Sequence, residues 1–261
     1  MHWRTFILGW SLAAALLLIA QHRSTTPEHA MYRNILDLTH TVAEEVPNWD
    51  NEPRTLKTRT TTTYERDGFY TREVTMSEHT ATHMDAPAHV IPGTWTVDQI
   101  PPERLVRPLV VLDVSDRAAN NPDYRISVED LARWEEQHGT LPQQAVVLAY
   151  TGWEPRWKSA EQFRNADVHG TMHFPGYSEE AARFLVDARN IVGIGIDTLS
   201  VDPGNSKDYP VHKYCAEHGV YHLEAVANLA QAPAVGSTVV VTPMKLKNGS
   251  GAPTRILVLV K

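Results

Sequence analysis

The sequence predicts an α/β protein, a single mixed α/β domain of roughly 230 residues in which strands dominate. Three features support this reading. Short apolar runs rich in β-branched residues recur along the chain, fewer stretches show helical spacing, and no dinucleotide-type glycine fingerprint occurs. The first strand is read at 35–38 (ILDL). Residues 58–64 and 70–76 read as a hairpin closed by Arg66-Asp67-Gly68, where Asp-Gly is the turn signal. Buried strands follow at 109–114 (LVVLDV), 145–150 (AVVLAY), 191–196 (IVGIGI), 238–242 (TVVVT) and 256–260 (ILVLV). A helix is expected over 127–138, opening on the capping residue Ser127 with Asp130 three positions on. Helical spacing also appears over 178–188, and over 222–230 before Pro233 stops it.

The composition excludes several functions. With 24 Lys and Arg against 31 Asp and Glu, the net charge is −7 and the pI is near 6.0. A nucleic-acid partner needs a dense basic face, so none is expected. A single Cys rules out an internal disulfide framework and any multi-Cys zinc site. If a metal binds, its ligands must come from carboxylates and the 13 His.

Residues 6–20 (FILGWSLAAALLLIA) form an apolar run after a basic start at Arg4, and polar residues 21–24 end it. The run is shorter than the ~20 residues that span a bilayer comfortably, and it reads as a secretory signal peptide. Residues 1–30 are therefore expected to be a signal and short linker, and 31–261 the working domain of an exported, periplasmic or secreted protein. An uncleaved membrane anchor and a cytoplasmic protein starting at Met31 are the alternatives.

The densest chemical signal lies at residues 77–89. His79, His83, Asp85 and His89 stand at offsets of 0, 4, 6 and 10. On a helix at about 100° per residue the third position leaves the face of the first two. On a strand the outer pair would be about 33 Å apart at ~3.3 Å per residue. Neither element lets four ligands meet at one ion, so the segment must bend, and Pro87 disfavours a straight helix. A strand-to-turn transition would bring the side chains together. The HExxH arrangement is absent, as is the GxSxG of serine hydrolases.

The run HTATHMDAPAH resembles the HxGTHxDxPxH signature of the metal-dependent cyclase family, which includes bacterial kynurenine formamidases and isatin hydrolases. The resemblance extends over most of 35–260, with further matching pieces at 151–153 (TGW), 173–176 (HFPG), 195–200 (GIDTLS) and 249–253 (GSGAP). Ala81 departs from the usual glycine, which puts the backbone bend in doubt but removes no ligand. The resemblance implies a β-rich core with helices packed outside, of the swivelling β/β/α type, and usually a homodimer. It implies two divalent metal ions, commonly Zn²⁺ and in some relatives Mn²⁺. His79, His83 and Asp85 match the ligands of the first ion, and His212 and Glu224 the later pair. Asp85 and Glu224 would bridge both ions, and His212 would hold the second. His89 matches the catalytic proton-transfer residue, and Trp49 falls where formamidases place an aromatic substrate contact.

The activity implied is that of an arylformamidase, hydrolysing a small aryl amide as in N-formylkynurenine to kynurenine plus formate, a step of tryptophan degradation. Alternatives are a hydrolase of a cyclic amide or lactone such as isatin, and an exported metal-binding protein without catalysis. Other candidates weigh less. His169 and His173 form a second i, i+4 pair in a loop and could line the pocket or hold a metal. His40 reads as a buried hydrogen-bonded histidine, and His218 and His222 as half-exposed residues without a ligand role. Asp197 could support the site or simply cap a turn. Cys215 reads as inert, and Trp153 and Trp157 as packing residues.

Overall fold

An eight-stranded sheet, closed on itself, organises the chain, and the computed structural model describes residues 32–51 and 56–261 of it. The export segment read over 1–30 lies outside those residues. The strands are β1 (Asn34–Asp37), β2 (Leu56–Thr62), β3 (Thr71–Met76), β4 (His83–Asp85), β5 (Val106–Asp113) and β6 (Arg125–Ile126). They continue with β7 (Val146–Tyr150), β8 (Gly176–Tyr177), β9 (Gly193–Ile196), β10 (Tyr221–Glu224), β11 (Thr238–Pro243) and β12 (Gly251–Val260). The three longest described helices are α1 (Val128–His138), α2 (Glu179–Arg189) and α3 (Pro210–Glu217). The order in the sheet is β1-β12-β11-β5-β7-β9-β10-β4, and the long β12 pairs again with β4 to close it. Strands β5, β7, β9 and β10 run parallel, and the remaining pairings of the sheet are antiparallel.

Period-two alternation divides the apolar residues between two cores. Leu109, Val111, Leu148, Tyr221 and Leu223 point inside the closed sheet, where they meet Met84, Val241, Ile256 and Val258. Val110, Leu112, Val147, Ile194 and Ile196 point outward, against Leu131 and Trp134 of α1, Leu185 of α2, and Val211 and Cys215 of α3. Each such buried side chain contributes about 1.5–3 kcal/mol. The interior is full enough to dictate sequence. A Cβ on Gly195 would stand 2.6 Å from Leu148 Cδ2 and 2.7 Å from the Leu223 carbonyl oxygen. Strand β9 (GIGI) therefore alternates isoleucine outward with glycine inward.

The mixed α/β architecture, with a barrel-like sheet and helices outside it, agrees with the sequence reading. Ser127 caps α1, and Asp130 returns the bond to its backbone. Two local readings need correction. Residues 222–230 do not form a helix, because Tyr221–Glu224 is a strand buried on both faces and followed by a single 3₁₀ turn at Leu229–Gln231. His222 and Glu224 do alternate with Tyr221 and Leu223, but a four-residue run is too short to outweigh the helical spacing that follows it. The β2–β3 hairpin is present, but a one-turn helix at Tyr64–Asp67 links the strands, and Gly68 at φ 77° ends that turn. Asp-Gly thus terminates a helix and does not form a two-residue turn.

Candidate active site

The site grows from one antiparallel strand pair. In β4 and β10, His222 lies opposite Asp85, Leu223 opposite Met84, and Glu224 opposite His83. Met84 and Leu223 point into the interior, so His83, Asp85, His222 and Glu224 share the outer face. All four are buried, at 5%, 1%, 0% and 5% relative exposure. The 77–89 segment bends as expected, running from a turn into β4 and then into a 3₁₀ turn at Pro87–His89.

Neighbouring elements fix each imidazole. Asp202 accepts the Val211 and His212 backbone N–H groups at 3.1 and 3.0 Å, capping the start of α3. The same carboxylate takes His212 Nδ1 at 2.7 Å. That leaves His212 Nε2 facing Glu224 Oε1 at 3.1 Å and Asp85 Oδ2 at 3.4 Å. His83 Nδ1 donates to the Ala81 carbonyl at 2.9 Å, turning Nε2 to Asp85 Oδ1 at 3.2 Å and Glu224 Oε2 at 3.5 Å. Ala81 adopts φ 55°, the left-handed region in which glycine is unstrained, so the segment bends there despite the methyl group. His79 Nε2 meets Ser250 Oγ at 2.9 Å, and that hydroxyl donates to Glu78 Oε2 at 2.8 Å. His79 Nδ1 then faces Asp85 Oδ1 at 2.6 Å. Gly251 makes room for this ring: a Cβ there would lie 2.7 Å from His79 Cε1 and 2.6 Å from the Met84 carbonyl oxygen.

Fixing one nitrogen of a ring directs the other, as around metal-bound histidines. Here three such nitrogens converge on two buried carboxylates. Each nitrogen–oxygen pair requires a positive charge between its lone pairs. Protons can provide it: burial pulls His83 down, but Asp85 and Glu224 outweigh burial and lift it to about 9. Burial likewise opposes protonation of His212, yet Asp202, Asp85 and Glu224 hold it well above the ordinary imidazole value. A divalent cation can provide the same charge by displacing those protons. His79, His83 and Asp85 form one group of converging donors, and Asp85, His212 and His222 another.

His79, His83, Asp85, His89, His212 and Glu224 line a cavity of about 700 Å³. The His89 ring is 4.2 Å from that of His79 and 6.3 Å from that of His212. Loss of solvent and the neighbouring imidazoles lower its pKa, against the pull of Asp85 and Glu224. Trp49 and Tyr209 supply an aromatic wall, meeting edge to face at 6.0 Å, and Phe174 backs Trp49 at 6.4 Å.

Every residue read from the sequence as a ligand, proton carrier or substrate contact therefore reaches this one cavity. The lesser candidates do not. His173 pairs with Asp123 at 2.8 Å, His169 is exposed, and exposed His218 bonds the Tyr214 carbonyl. His40 stacks on Trp157 at 3.9 Å, and its Nε2 is buried without a hydrogen-bond partner, contrary to the hydrogen-bonded role expected of it. Asp197 caps the 151–153 turn, accepting Thr151 N and Trp153 N at 3.0 Å each. Cys215 is buried and its thiol is pushed up to about 12 by desolvation, consistent with an inert residue. Two supports of the imidazoles escape the sequence reading: Asp202 and the Glu78–Ser250 pair. His222 is fully buried beside Asp85, correcting the half-exposed position expected for it. Its signal was available, since on a strand it shares a face with Glu224 two residues on.

Comparison with known proteins places this geometry among relatives. The Cyclase family model matches residues 36–203. Isatin hydrolase from Roseibium aggregatum is 32% identical over 207 residues, covering 76% of this chain and 78% of that protein. Kynurenine formamidase from Paracidovorax citrulli is 27% identical over 188 residues, covering 69% of this chain and 75% of that protein. The solved structure of isatin hydrolase A from Ralstonia solanacearum aligns with a TM-score of 0.83 at 32% identity, over 99% of this chain and 100% of that one.

Proposed function

Because the chain belongs to the Cyclase family of metal-dependent hydrolases, we propose that it cleaves the amide bond of a small aryl amide, as an arylformamidase does with N-formylkynurenine. The observation carrying this reading is the convergence of His79, His83, Asp85, His212 and Glu224 on a cavity with an aromatic wall. The donor set fits a pair of divalent cations. Its nitrogens and carboxylate oxygens require a cation or protons between them, and without thiolate they suit Zn²⁺ and Mn²⁺ alike. His79, His83 and Asp85 would hold one ion, and Asp85, His212 and Glu224 the other. When bound, such ions supply Lewis-acid polarisation of a carbonyl and an acidified water.

The chain's own groups do the rest. Trp49 and Tyr209 hold the aryl ring and exclude water from one side of it. His89 is the cavity imidazole least tied to the cluster, and it takes a proton from the attacking water at a ring nitrogen. It returns that proton to the amide nitrogen as the C–N bond breaks, so one water is consumed and an acid and an amine form. Asp202, the Ala81 carbonyl and the Ser250–Glu78 pair hold the imidazoles in the required tautomers.

A second reading, ring opening of a cyclic aryl amide such as isatin, has its own support in the 32% identity to the Roseibium aggregatum isatin hydrolase, slightly above the 25–30% of the kynurenine formamidases. Catalytic efficiencies on N-formylkynurenine and isatin separate the two. Turnover of neither, nor of simple formanilides and lactones, by metal-loaded protein would sink the aryl-amide reading. Export through residues 6–20 and a homodimeric state complete the proposal. N-terminal sequencing of protein from the host and light scattering test them.

A further inference from the structure

His222 has no role in the scheme above, and its surroundings call for one. The side chain is fully buried, and neither ring nitrogen has a hydrogen-bond partner among the described residues. Buried polar groups without a partner are rare, because each forfeits its hydration without compensation. Yet His222 faces a carboxylate. Its Nδ1 is 3.9 Å from Asp85 Oδ2, too far for a hydrogen bond, and its ring centroid is 4.5 Å from that of His212. Ligand bonds of ~2.0–2.2 Å put the donors of one ion about 3–4 Å apart, and 3.9 Å falls in that interval.

The two oxygens of Asp85 divide the neighbours between them. Oδ1 faces His79 at 2.6 Å and His83 at 3.2 Å, whereas Oδ2 faces His212 at 3.4 Å and His222 at 3.9 Å. Glu224 Oε1 stands 3.1 Å from His212 Nε2 on this second side. The two sides also differ in access. His79 keeps 24% of its side chain exposed and lines the cavity, while His222 is sealed beneath it.

We propose that His222 is a ligand of the second cation, completing a set of four with Asp85, His212 and Glu224. This rests on the metal-dependent reading given above and deepens it. Four protein ligands close a coordination sphere, whereas three leave a position free for water or substrate. The ion on the His222 side is therefore the tightly held, structural one. The ion held by His79, His83 and Asp85 is the exchangeable one that meets substrate.

Full-length protein freed of metal with a chelator and titrated with Co²⁺, Zn²⁺ or Mn²⁺ tests this through metal content and calorimetry, without reference to turnover. Wild-type protein is expected to bind two equivalents of unequal affinity. His222→Leu should weaken the tighter one by about 100-fold or more, since even loss of an outer partner costs about 10–100-fold. His222→Cys should give a cobalt protein with a thiolate-to-cobalt charge-transfer band, and the wild type, whose Cys215 is a buried thiol outside the donor groups, should give none. That spectroscopic signature remains decisive if the leucine variant fails to fold. Two equivalents bound with wild-type affinity by His222→Leu, or a folded His222→Cys cobalt protein without the band, would overturn the proposal. A wild-type chain holding only one ion would overturn it too, while leaving the metal-dependent hydrolase standing. A chain that binds no divalent ion would remove both.

Discussion

Asp202 holds the first turn of α3 and the ring of His212 at once, so Asp202→Asn separates the aiming of a ligand from the stability of a helix. The wild-type carboxylate accepts Val211 N at 3.1 Å, His212 N at 3.0 Å and His212 Nδ1 at 2.7 Å. Asparagine keeps a single carbonyl oxygen and turns an N–H₂ group towards the remaining donors. At least one bond is lost, and none retains a charged acceptor. Hydrogen bonds to charged groups contribute about 1.5–3 kcal/mol and neutral ones about 1, so the ring loses on the order of 1–2 kcal/mol of orientation. That is roughly tenfold in an equilibrium constant, at the lower end of the 10–100-fold range, approximately, for partners of metal-bound histidines. Calorimetric titration of metal-free protein should show at least that loss of divalent-metal affinity. The metal-free variant should also melt about 2–4 °C lower, as loss of a helix cap worth about 1 kcal/mol implies. A variant that melts earlier yet binds metal with wild-type affinity would reduce Asp202 to a cap and refute the orientation argument.

Other consequences are equally direct. His89→Ala should keep its metal content and lose about 10²–10⁴-fold in kcat, the usual contribution of a proton-transfer group; loss of metal along with turnover would make His89 a ligand instead. Ala81→Gly relieves a left-handed backbone that costs an L-residue about 1–2 kcal/mol, against roughly 0.5–1 kcal/mol of added unfolded-state freedom, so the melting temperature should rise slightly. Burial raises Asp197 from 3.8 to about 6, so the folded chain holds a proton that the unfolded chain releases. This contribution is complete below pH 3.8 and is lost as pH rises through about 6. Denaturant unfolding of wild type should show it as a decline in stability, by up to about 3 kcal/mol, that Asp197→Asn flattens. An identical slope in the variant would remove Asp197 as its source.

Legibility in the sequence followed burial pattern and spacing. Strands such as Val146–Tyr150 and Thr238–Pro243 could be read because short β-branched runs stand between turn residues. The His79–His89 segment could be read because its density of imidazole is rare and its offsets fit neither regular element. Strand β10 could not, since the apolar–polar alternation of Tyr-His-Leu-Glu runs for four residues only, and the helical reading of 222–230 hid the shared face of His222 and Glu224. Helix α3 was missed for a different reason. It is eight residues long and begins at Pro210 after a left-handed Tyr209, with Asp202 supplying its cap from a distance. Contacts such as Asp202–His212 and Glu78–Ser250 join residues 10 and 172 positions apart, and only the folded chain brings them together.

The most direct measurement is the activity of the purified full chain on N-formylkynurenine and isatin, with metal content determined on the same samples before chelation, after it, and after reconstitution with Zn²⁺ or Mn²⁺. Turnover should disappear as the metal leaves the His79–His83–Asp85 and His212–Glu224 groups, and return with it. Undiminished hydrolysis by protein shown to contain no metal would mean that the cluster around Asp85 is not the catalytic centre.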